Sequence, residues 1–380
     1  MRRGSALSFR RSVLAGAGAG TGTGIGIGLL GGRILGSLRG QPLASNGSIG
    51  TAPALALLAP LQPVLDAWLG ADAATATAAP ALHAHGCVRW ASDGDWLHGW
   101  AELDDATFDG GLQAAAQQAY ADLFDVLAAS ASPHLLRLWN HFCDMNLSTG
   151  GVERYLQFNS GRQQAFTAAA RSAFDGAPAA CAIGTASGPL QVYFLAGRHA
   201  PQAIENPRQV SAYRYPKRYG AHSPTFSRAA LVEAGGGREL LLISGTASIV
   251  GHETVHVGDV RRQTAESLRN VRAVLAAASA VSAQARAPRA QDLVCTVYLR
   301  HAGDLAAVRE VFERELGADS PAARSAVYLR ADICRADLLV EIEAHGFANA
   351  DAGEVGVGRR GAGSSDVFDS PDSLDSGGTA

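Results

Sequence analysis

Residues 332–343, DICRADLLVEIE, combine a thiol, a polar turn and a carboxylate set in an apolar strand. Glu341 lies within the run LLVEI, seven residues after Cys334. A carboxylate that faces a dry cavity is disfavoured in its charged form, so its pKa rises and it can hold a proton to donate. The pattern is therefore typical of a general acid at Glu341. The alternative is a strand whose glutamates face solvent.

A second pattern, HETVH from His252 to His256, matches the HExxH motif of zinc peptidases. That chemistry needs both histidines on one face of a helix. Gly251 and Gly258 flank the motif and β-branched residues fill it, so we predict a loop here and a helix only after Asp259. We therefore expect no metal and no other cofactor, with a zinc peptidase kept as an alternative.

Arginines form a third group of candidates. They are Arg154 and Arg162 in GGVERYLQFNSGR, Arg300 at the end of VCTVYLR, and Arg324 before SAVYL. Guanidinium groups bind carboxylates through paired hydrogen bonds, so several that converge on one cleft would suit a small polyanionic substrate. Each one alone is better explained by a surface ion pair of small energy, whereas their shared position beside strand ends in both copies favours ligand binding.

The segment SAYRYPKRYGAHSPTF carries Tyr213, Tyr215, Tyr219 and Phe226 in a loop broken by proline and glycine. Aromatic side chains in such a loop either hold two domains together or line a pocket, and the sequence leaves both open. No Gly-x-Ser-x-Gly elbow is present and no histidine adjoins Cys334, so a nucleophilic triad has no support.

These candidates are distributed over one pattern of elements that occurs twice. The first copy reads as the hairpin CVRWASDGDWLHGWAEL around Asp93-Gly94, the helix GGLQAAAQQAYADLFDVLAAS, a strand over residues 135–142, the helix RQQAFTAAARSAF and the strand PLQVYFLAG. Asp93-Gly94 is a strong hairpin turn signal because type I′ turns favour Asp-Gly.

The second copy reads as the hairpin RAALVEAGGGRELLLISGTASI and a helix that begins after Asp259 as its N-cap, followed by the strand DLVCTVYLR, the helix LAAVREVFERELG, and the strands SAVYLRAD and LLVEIEAHGF. This order predicts an α+β fold in which each copy packs its helices on one face of a sheet. Two such copies side by side leave a cleft at their junction, where ligands commonly bind.

The domain organisation follows from these patterns and from composition. We predict a Gly-rich extension or signal-like segment over residues 1–40, an Ala/Pro-rich lead-in over 41–84, the two copies over 85–205 and 206–348, and a disordered tail over 349–380. Arg10 and Arg11 before a long uncharged run resemble a twin-arginine export signal. A disordered extension or a start codon placed too early explains the same residues.

Composition excludes several functional classes. The formal charge of −3 gives no electrostatic reason to expect a nucleic-acid partner. The Gly-rich run makes a poor transmembrane helix, so we expect no membrane association. Five widely spaced cysteines argue against a disulfide framework and for a reducing, cytoplasmic compartment.

The second copy resembles the YjgF/RidA family, a small αβ domain that forms trimers with ligand sites in the clefts between subunits. In that family the carboxylate-binding arginine lies in an ARSxV strand, which Arg324 matches, and the cleft glutamate is the first of VEIEA, which Glu341 matches. Two fused copies would complete such a cleft within one chain, so the resemblance implies a monomer with internal pseudo-symmetry.

Three longer motifs, RYPKRYGAHSPTFSRA, SGTASIVGHETVHVGDV and ADICRADLLVEIEA, together resemble the chorismatases over about residues 85–348. The resemblance implies release of the enolpyruvyl group of chorismate as pyruvate, with Glu341 giving a proton to the methylene carbon. It implies that the substrate carboxylates are bound by the cations Arg154, Arg162, Arg300 and Arg324, and that Tyr215 and Tyr219 act as hydroxyl donors.

The resemblance leaves the second product open. Cys334, seven residues before the acid, matches the branch that forms hydroxybenzoates, whereas Ala247 in SGTASI matches the hydrolytic branch. We expect 3-hydroxybenzoate, alone or with 4-hydroxybenzoate. The alternatives are hydrolysis to a dihydroxycyclohexadienoate and, in another class, an imine deaminase or metabolite-binding protein of the RidA type.

Overall fold

The computed structural model describes residues 56–57, 82–92, 95–234, 238–284 and 288–349. The predictions for the extension over 1–40, for nearly all of the lead-in and tail, and for the turns at 93–94 and 235–237 lie outside these residues. Within them, no helix is both long and apolar enough to cross a membrane.

Two seven-stranded sheets form the frame of the molecule. The strands up to residue 204 are β1 (Ala56–Leu57), β2 (His83–His85), β3 (Val88–Ser92), β4 (Trp96–Leu103), β5 (His134–Cys143), β6 (Ser148–Thr149), β7 (Val152–Glu153), β8 (Ala179–Thr185), β9 (Leu190–Gly197) and β10 (Gln202–Ile204). The later strands are β11 (Ala229–Glu233), β12 (Arg238–Ala247), β13 (Ile249–Val250), β14 (Glu253–Thr254), β15 (Val294–Leu299), β16 (Val327–Arg330), β17 (Asp332–Ile333) and β18 (Val340–Asn349).

The strand orders confirm the internal repeat. The first sheet has the order β17-β8-β5-β9-β4-β3-β2 and the second has the order β1-β16-β15-β18-β12-β11-β10. In each, a parallel pair (β5 with β8, β15 with β16) is followed by an antiparallel strand that lies between that pair and a hairpin. The chain is therefore an α+β protein with two tandem copies of one topology, as predicted.

In the part of the chain that the structure describes, five α-helices cover the outer faces: α1 (Gly111–Ala128), α2 (Arg154–Ala168), α3 (Val260–Ser279), α4 (Leu305–Leu316) and the short α5 (Pro321–Ser325). The predicted N-cap of α3 is confirmed, since the Asp259 carboxylate accepts a hydrogen bond from the Arg262 amide at 3.0 Å. Apolar residues of α1 and α2, such as Leu123 and Phe166, pack on the first sheet, and those of α3 and α4, such as Val274 and Phe312, pack on the second.

The inner faces of the two sheets meet in a second apolar layer. Trp96 and Leu195 of the first sheet pack there with Leu240 and Leu242 of the second. Each fully buried leucine of this kind contributes roughly 1.5–3 kcal/mol of hydrophobic stabilisation. The helices thus lie outside, the sheets face each other, and the junction between the copies is buried.

Three local predictions differ from the structure. The helix predicted over RQQAFTAAARSAF begins eight residues earlier, at Arg154, and ends at Ala168. Strand β8, AACAIGT, was not predicted because its small residues have low β-propensity. The strand predicted over SAVYLRAD is divided into β16 and β17, and β17 leaves the second sheet to pair with β8 of the first. This exchange brings the residues after β17 to the junction.

Candidate active site

A cavity of about 180 Å³ lies where the two copies meet. The first copy contributes residues of β7, α2 and β8, while the second contributes residues of β12, β13 and β18 and the two residues after β17. Residues of the loop over 215–228 complete the lining of the cavity. The cleft predicted at the junction is therefore present, and its walls come from both halves of the chain.

Glu341 lies on the floor of this cavity. It is the second residue of β18, pairs with Ala247 of β12 and Tyr298 of β15, and is only 4% exposed. Burial, and to a smaller extent the nearby charge of Glu343, raise the pKa of its carboxyl from 4.5 to about 8, against the opposing charges of Arg137 and Arg228. The carboxyl is therefore protonated at neutral pH and faces the cavity, as a general acid requires.

Gly245 makes room for this carboxyl. A Cβ atom at this position would lie 1.9 Å from Oε1 of Glu341, which is closer than atoms can approach, and in tight contact with Cβ of Cys181 at 3.1 Å. The register between β12 and β18 shifts between Ile243 and Thr246, so Gly245 sits in an irregular part of the ladder. The sequence alone does not mark this glycine as a site residue, although it stands in the motif SGTASI.

Three arginines form a cationic wall of the cavity: the buried Arg162 of α2 and Arg228 of the loop over residues 215–228, and the half-buried Arg335 after β17. Nε of Arg162, Nε of Arg228 and one terminal nitrogen of Arg335 are buried without a hydrogen-bond partner among the described residues. Buried N–H groups are rarely left unpaired. These donors are therefore arranged for an anionic ligand, and they are enough for more than one carboxylate.

The two predicted tyrosines hold this wall in place. The Tyr215 hydroxyl accepts a hydrogen bond from Arg228 at 2.8 Å, and the Arg335 guanidinium lies 4.2 Å from the centre of the Tyr219 ring. Their rings contact each other at 5.6 Å. The aromatic loop therefore lines a pocket, which decides between the two readings that the sequence left open.

Cys334 and Ala247 lie on the same side of the cavity. Cys334 packs against the buried cluster that contains Ala247, Ile249 and Leu338. Burial and the neighbouring charge of Glu341 raise the pKa of its thiol to about 12. The thiol is therefore neutral near pH 7, which suits a hydrogen-bonding or space-filling role and not a nucleophile.

Arg300 does not line the cavity, in contrast to its predicted role as a substrate contact, and its guanidinium group binds other parts of the protein. Its Nε donates to the Leu338 carbonyl, one terminal nitrogen donates to Asn146 and Asp332, and the other donates to the carbonyls of Ile333 and Arg335. All of its N–H groups are thus used. Arg300 fixes the turn that carries Cys334 and Arg335.

The structure also leaves Arg154 and Arg324 away from the cavity. Arg154 pairs with Asp105 at 2.9 Å and donates to the carbonyl of Cys143 at 3.1 Å, so it anchors the start of α2. Arg324 is exposed at the end of α5. Of the four arginines predicted from the sequence, only Arg162 lines the cavity.

The HETVH motif is not helical, as predicted, and lies in a short hairpin. β13 and β14 pair across Gly251, and His256 adopts a positive φ of 60° outside any helix. His252 lies 3.0 Å from a terminal nitrogen of Arg218, and Arg218 pairs with Glu253 at 2.7 Å. The motif therefore supports the exposed rim of the cavity, where Arg218 lies.

Sequence reasoning missed Arg228, Arg335 and Tyr155 as cavity residues. All three stand in motifs that had been quoted: Arg228 is the next-to-last residue of RYPKRYGAHSPTFSRA, Arg335 adjoins Cys334, and Tyr155 adjoins Arg154. A position beside a candidate site residue is therefore a usable signal for Arg335 and Tyr155.

Comparison with known proteins places these features in a family context. The family description "Chorismatase FkbO/Hyg5-like, N-terminal" matches residues 72–196, and "Endoribonuclease L-PSP" matches residues 223–347. The latter agrees with the YjgF/RidA-like fold predicted for the second copy.

Two curated relatives and one solved structure extend this result. A 3-hydroxybenzoate synthase of Streptomyces hygroscopicus is 40% identical over 238 residues, which is 60% of this chain and 68% of the relative. A chorismatase of Streptomyces rapamycinicus is 38% identical over 267 residues, 68% of this chain and 77% of the relative. A chorismatase crystal structure matches with a TM-score of 0.64 at 32% identity, over 70% of this chain and 79% of that chain.

Proposed function

The chain belongs to the chorismatase family, and we propose that it cleaves chorismate into pyruvate and 3-hydroxybenzoate. The observation that carries this proposal is a protonated carboxyl, Glu341, in a cavity walled by three arginines with unpaired buried N–H groups. Chorismate is a dicarboxylate with an acid-labile enol ether, so it needs both a cationic wall and a proton donor.

The first step is proton transfer. Glu341 gives its proton to the methylene carbon of the enolpyruvyl group, which becomes a methyl group, and an oxocarbenium ion forms at the neighbouring carbon. Arg162 from one side and Arg228 and Arg335 from the other bind the substrate carboxylates and orient the enol ether over the carboxyl. Tyr215 and Tyr219 keep two of these guanidinium groups in place.

The second step releases pyruvate. The oxygen of the neighbouring ring hydroxyl attacks the ring carbon that carries the pyruvyl oxygen, the bond from that carbon to the pyruvyl oxygen breaks, and an epoxide forms as the hydroxyl gives up its proton. The epoxide then opens by cleavage of the bond to the carbon that first carried the hydroxyl, its oxygen takes up a proton, and a ring hydrogen leaves as the ring becomes aromatic. Glu341, now a carboxylate, accepts the proton that is released, so the acid is regenerated and no water is consumed. The neutral thiol of Cys334 and the methyl group of Ala247 border the space beside this carboxyl and limit the entry of water.

The competing outcome is attack of water on the same oxocarbenium ion, which gives pyruvate and a dihydroxycyclohexadienoate. Ala247, which resembles the hydrolytic branch, is the observation in its favour. Incubation of the purified chain with chorismate, with pyruvate measured enzymatically and the ring product identified by chromatography, decides between them. We expect equal amounts of pyruvate and 3-hydroxybenzoate; the diene would reassign the branch, and no pyruvate above background would refute the function.

We further propose that the enzyme acts as a cytoplasmic monomer without a metal. One chain supplies both sides of the cleft, so a second chain is not needed to complete it. Unchanged turnover at protein concentrations at which sedimentation shows a monomer, and after treatment with a chelator, would support this proposal.

A further inference from the structure

A buried carboxylate that the mechanism above does not use lies directly behind the proton donor. Glu343 is two residues after Glu341 on β18, so both side chains point to the same face of the sheet, about 7 Å apart along the strand. It is 6% exposed and does not line the cavity.

Glu343 is held by donors from both copies. Arg137 of β5 donates to Oε2 at 2.6 Å, while Tyr298 of β15 and Trp139 of β5 donate to Oε1 at 3.0 Å and 3.3 Å. Three donors, one of them charged, stabilise the ionised form of a buried carboxylate. Glu343 is therefore the partner of Arg137 in a buried ion pair, in a region from which water is excluded.

We propose that Glu343 is a positioning residue for catalysis, whose fixed negative charge keeps the carboxyl of Glu341 protonated until the substrate binds. The inference rests on the proposed function, in which Glu341 is the acid. Two carboxylates this close cannot both ionise readily in a region of low dielectric, and Glu343, which has the donors, keeps the charge.

The charged groups around Glu341 act on its ionisation in opposite directions. Arg137 and Arg228 favour ionisation of Glu341, whereas Glu343 opposes it. Burial and Glu343 raise the pKa values of the thiol and hydroxyl groups nearby, so these remain neutral. The titratable and charged groups that face the pair are Arg137, Arg228, Tyr155, Tyr298, Cys181, Cys295, Cys334 and His345.

A purely structural role is the competing explanation, because the pair of Arg137 and Glu343 also joins the two copies. A structural pair would change stability and leave the pH dependence of turnover alone. If the charge of Glu343 keeps Glu341 protonated, a change in that charge moves the alkaline limb of the pH profile of turnover, where Glu341 loses its proton.

The test is the pH dependence of pyruvate release from chorismate. In Glu343→Gln the negative charge is gone while the shape is kept, so the alkaline limb should move to lower pH by about one to two units. In Tyr298→Phe one donor is lost, the charge of Glu343 is less neutralised, and the limb should move to higher pH by a smaller amount. Glu233→Gln, on the exposed end of β11, is the matched control and should leave the profile unchanged.

A second readout separates this inference from the proposed function. Carbon-13 NMR of labelled glutamate carboxyls, with the Glu341 signal assigned by its loss in Glu341→Gln, should show its titration moving downward in Glu343→Gln and upward in Tyr298→Phe. If the wild-type enzyme releases no pyruvate, the proposed function fails and the titration still tests the charge effect. If Glu343→Gln does not fold, Tyr298→Phe decides alone. An unmoved titration, or shifts in the same direction in both variants, would overturn the inference.

Discussion

The central strands of the two copies occupy the same place in their sheets and carry opposite chemistry. β18 lies between β15 and β12 and begins VEIE; β9 lies between β5 and β4 and begins LQVY. The second residue is Glu341 in one and Gln191 in the other, and the fourth is Glu343 or Tyr193. Both carboxylates of the second copy are thus replaced by neutral side chains in the first.

The surroundings differ in the same sense. Gln191 donates a hydrogen bond to Glu102 at 2.7 Å, and Tyr193 packs with Trp100 and Trp139. Burial lowers the pKa of His141, which pairs with Gln191 across the strands, to about 3, so its ring is neutral. In the first copy Gln191 pairs with Glu102 of β4, and Trp100 lies two residues before Glu102. In the second copy Glu341 pairs with Ala247 of β12, and Gly245 lies two residues before Ala247.

This difference shows how a duplicated fold supplies a single acid. The second copy has space and two carboxyl groups beneath its central strand, whereas indole and phenol rings fill the corresponding face of the first copy. The arginines of the first copy, Arg137 and Arg162, lie at the junction between the copies. The four predictions that follow test the contrast between the two strands.

The space under Glu341 is the most sensitive feature of the second copy. Gly245→Ala should lower turnover by about 100- to 1,000-fold, because the new methyl group would displace the acid by more than an ångström. Steady-state kinetics of pyruvate release measure this. Gly303→Ala, where a Cβ atom meets nothing within 4 Å, is the control and should be unaffected. Equal activity of the two variants would show that Glu341 does not need this space.

Placing charge in the first copy should cost stability without creating activity. Gln191→Glu puts a second carboxylate against Glu102 at a position that is 2% exposed, so we expect a loss of about 2–4 kcal/mol in the free energy of unfolding. Denaturant unfolding at pH 7 measures it, and acidic pH should restore part of it as the pair takes up a proton. Unchanged stability would mean that the first copy tolerates the charge.

The acid of the second copy should itself cost stability at high pH. The folded-state pKa of Glu341 is raised to about 8, so the folded state binds the proton more tightly than the unfolded state does. Its stabilising contribution is complete below the unfolded value of 4.5 and is lost as pH rises through about 8. The stability of Glu341→Gln relative to wild type should therefore increase on the order of 4 kcal/mol between pH 5 and pH 9. A difference that does not depend on pH would contradict the raised pKa.

The cationic wall should affect binding more than chemistry. Arg335→Met removes a donor that is free for substrate, so KM should rise by about 10-fold or more while kcat changes little. Arg324→Met removes an exposed arginine of the same copy and should leave both constants unchanged. The reverse ranking would restore Arg324 as the carboxylate contact.

The sequence carried much of the fold and part of the site. Hairpins, helix periods and the Asp259 cap are local signals, so both copies were visible in the chain, whereas β8 lacked the β-branched residues that mark a strand. Glu341 stood out because its neighbours are apolar. Arg300 and Arg335 could not be told apart, since only the folded turn shows that one guanidinium is fully bonded and the other is not. Gly245 was not predicted, because its role is to leave space for the Glu341 carboxyl and only the folded structure shows that space.

The most direct test compares wild-type enzyme with Glu341→Gln in two assays on the same preparations. Calorimetry with chorismate should give similar affinity for both, because the arginines are intact and glutamine keeps the shape of the carboxyl. Pyruvate release should fall by about 100- to 10,000-fold in the variant, the contribution of a general acid. Wild-type turnover by Glu341→Gln, with binding intact, would contradict the assignment of the proton donor to the second copy.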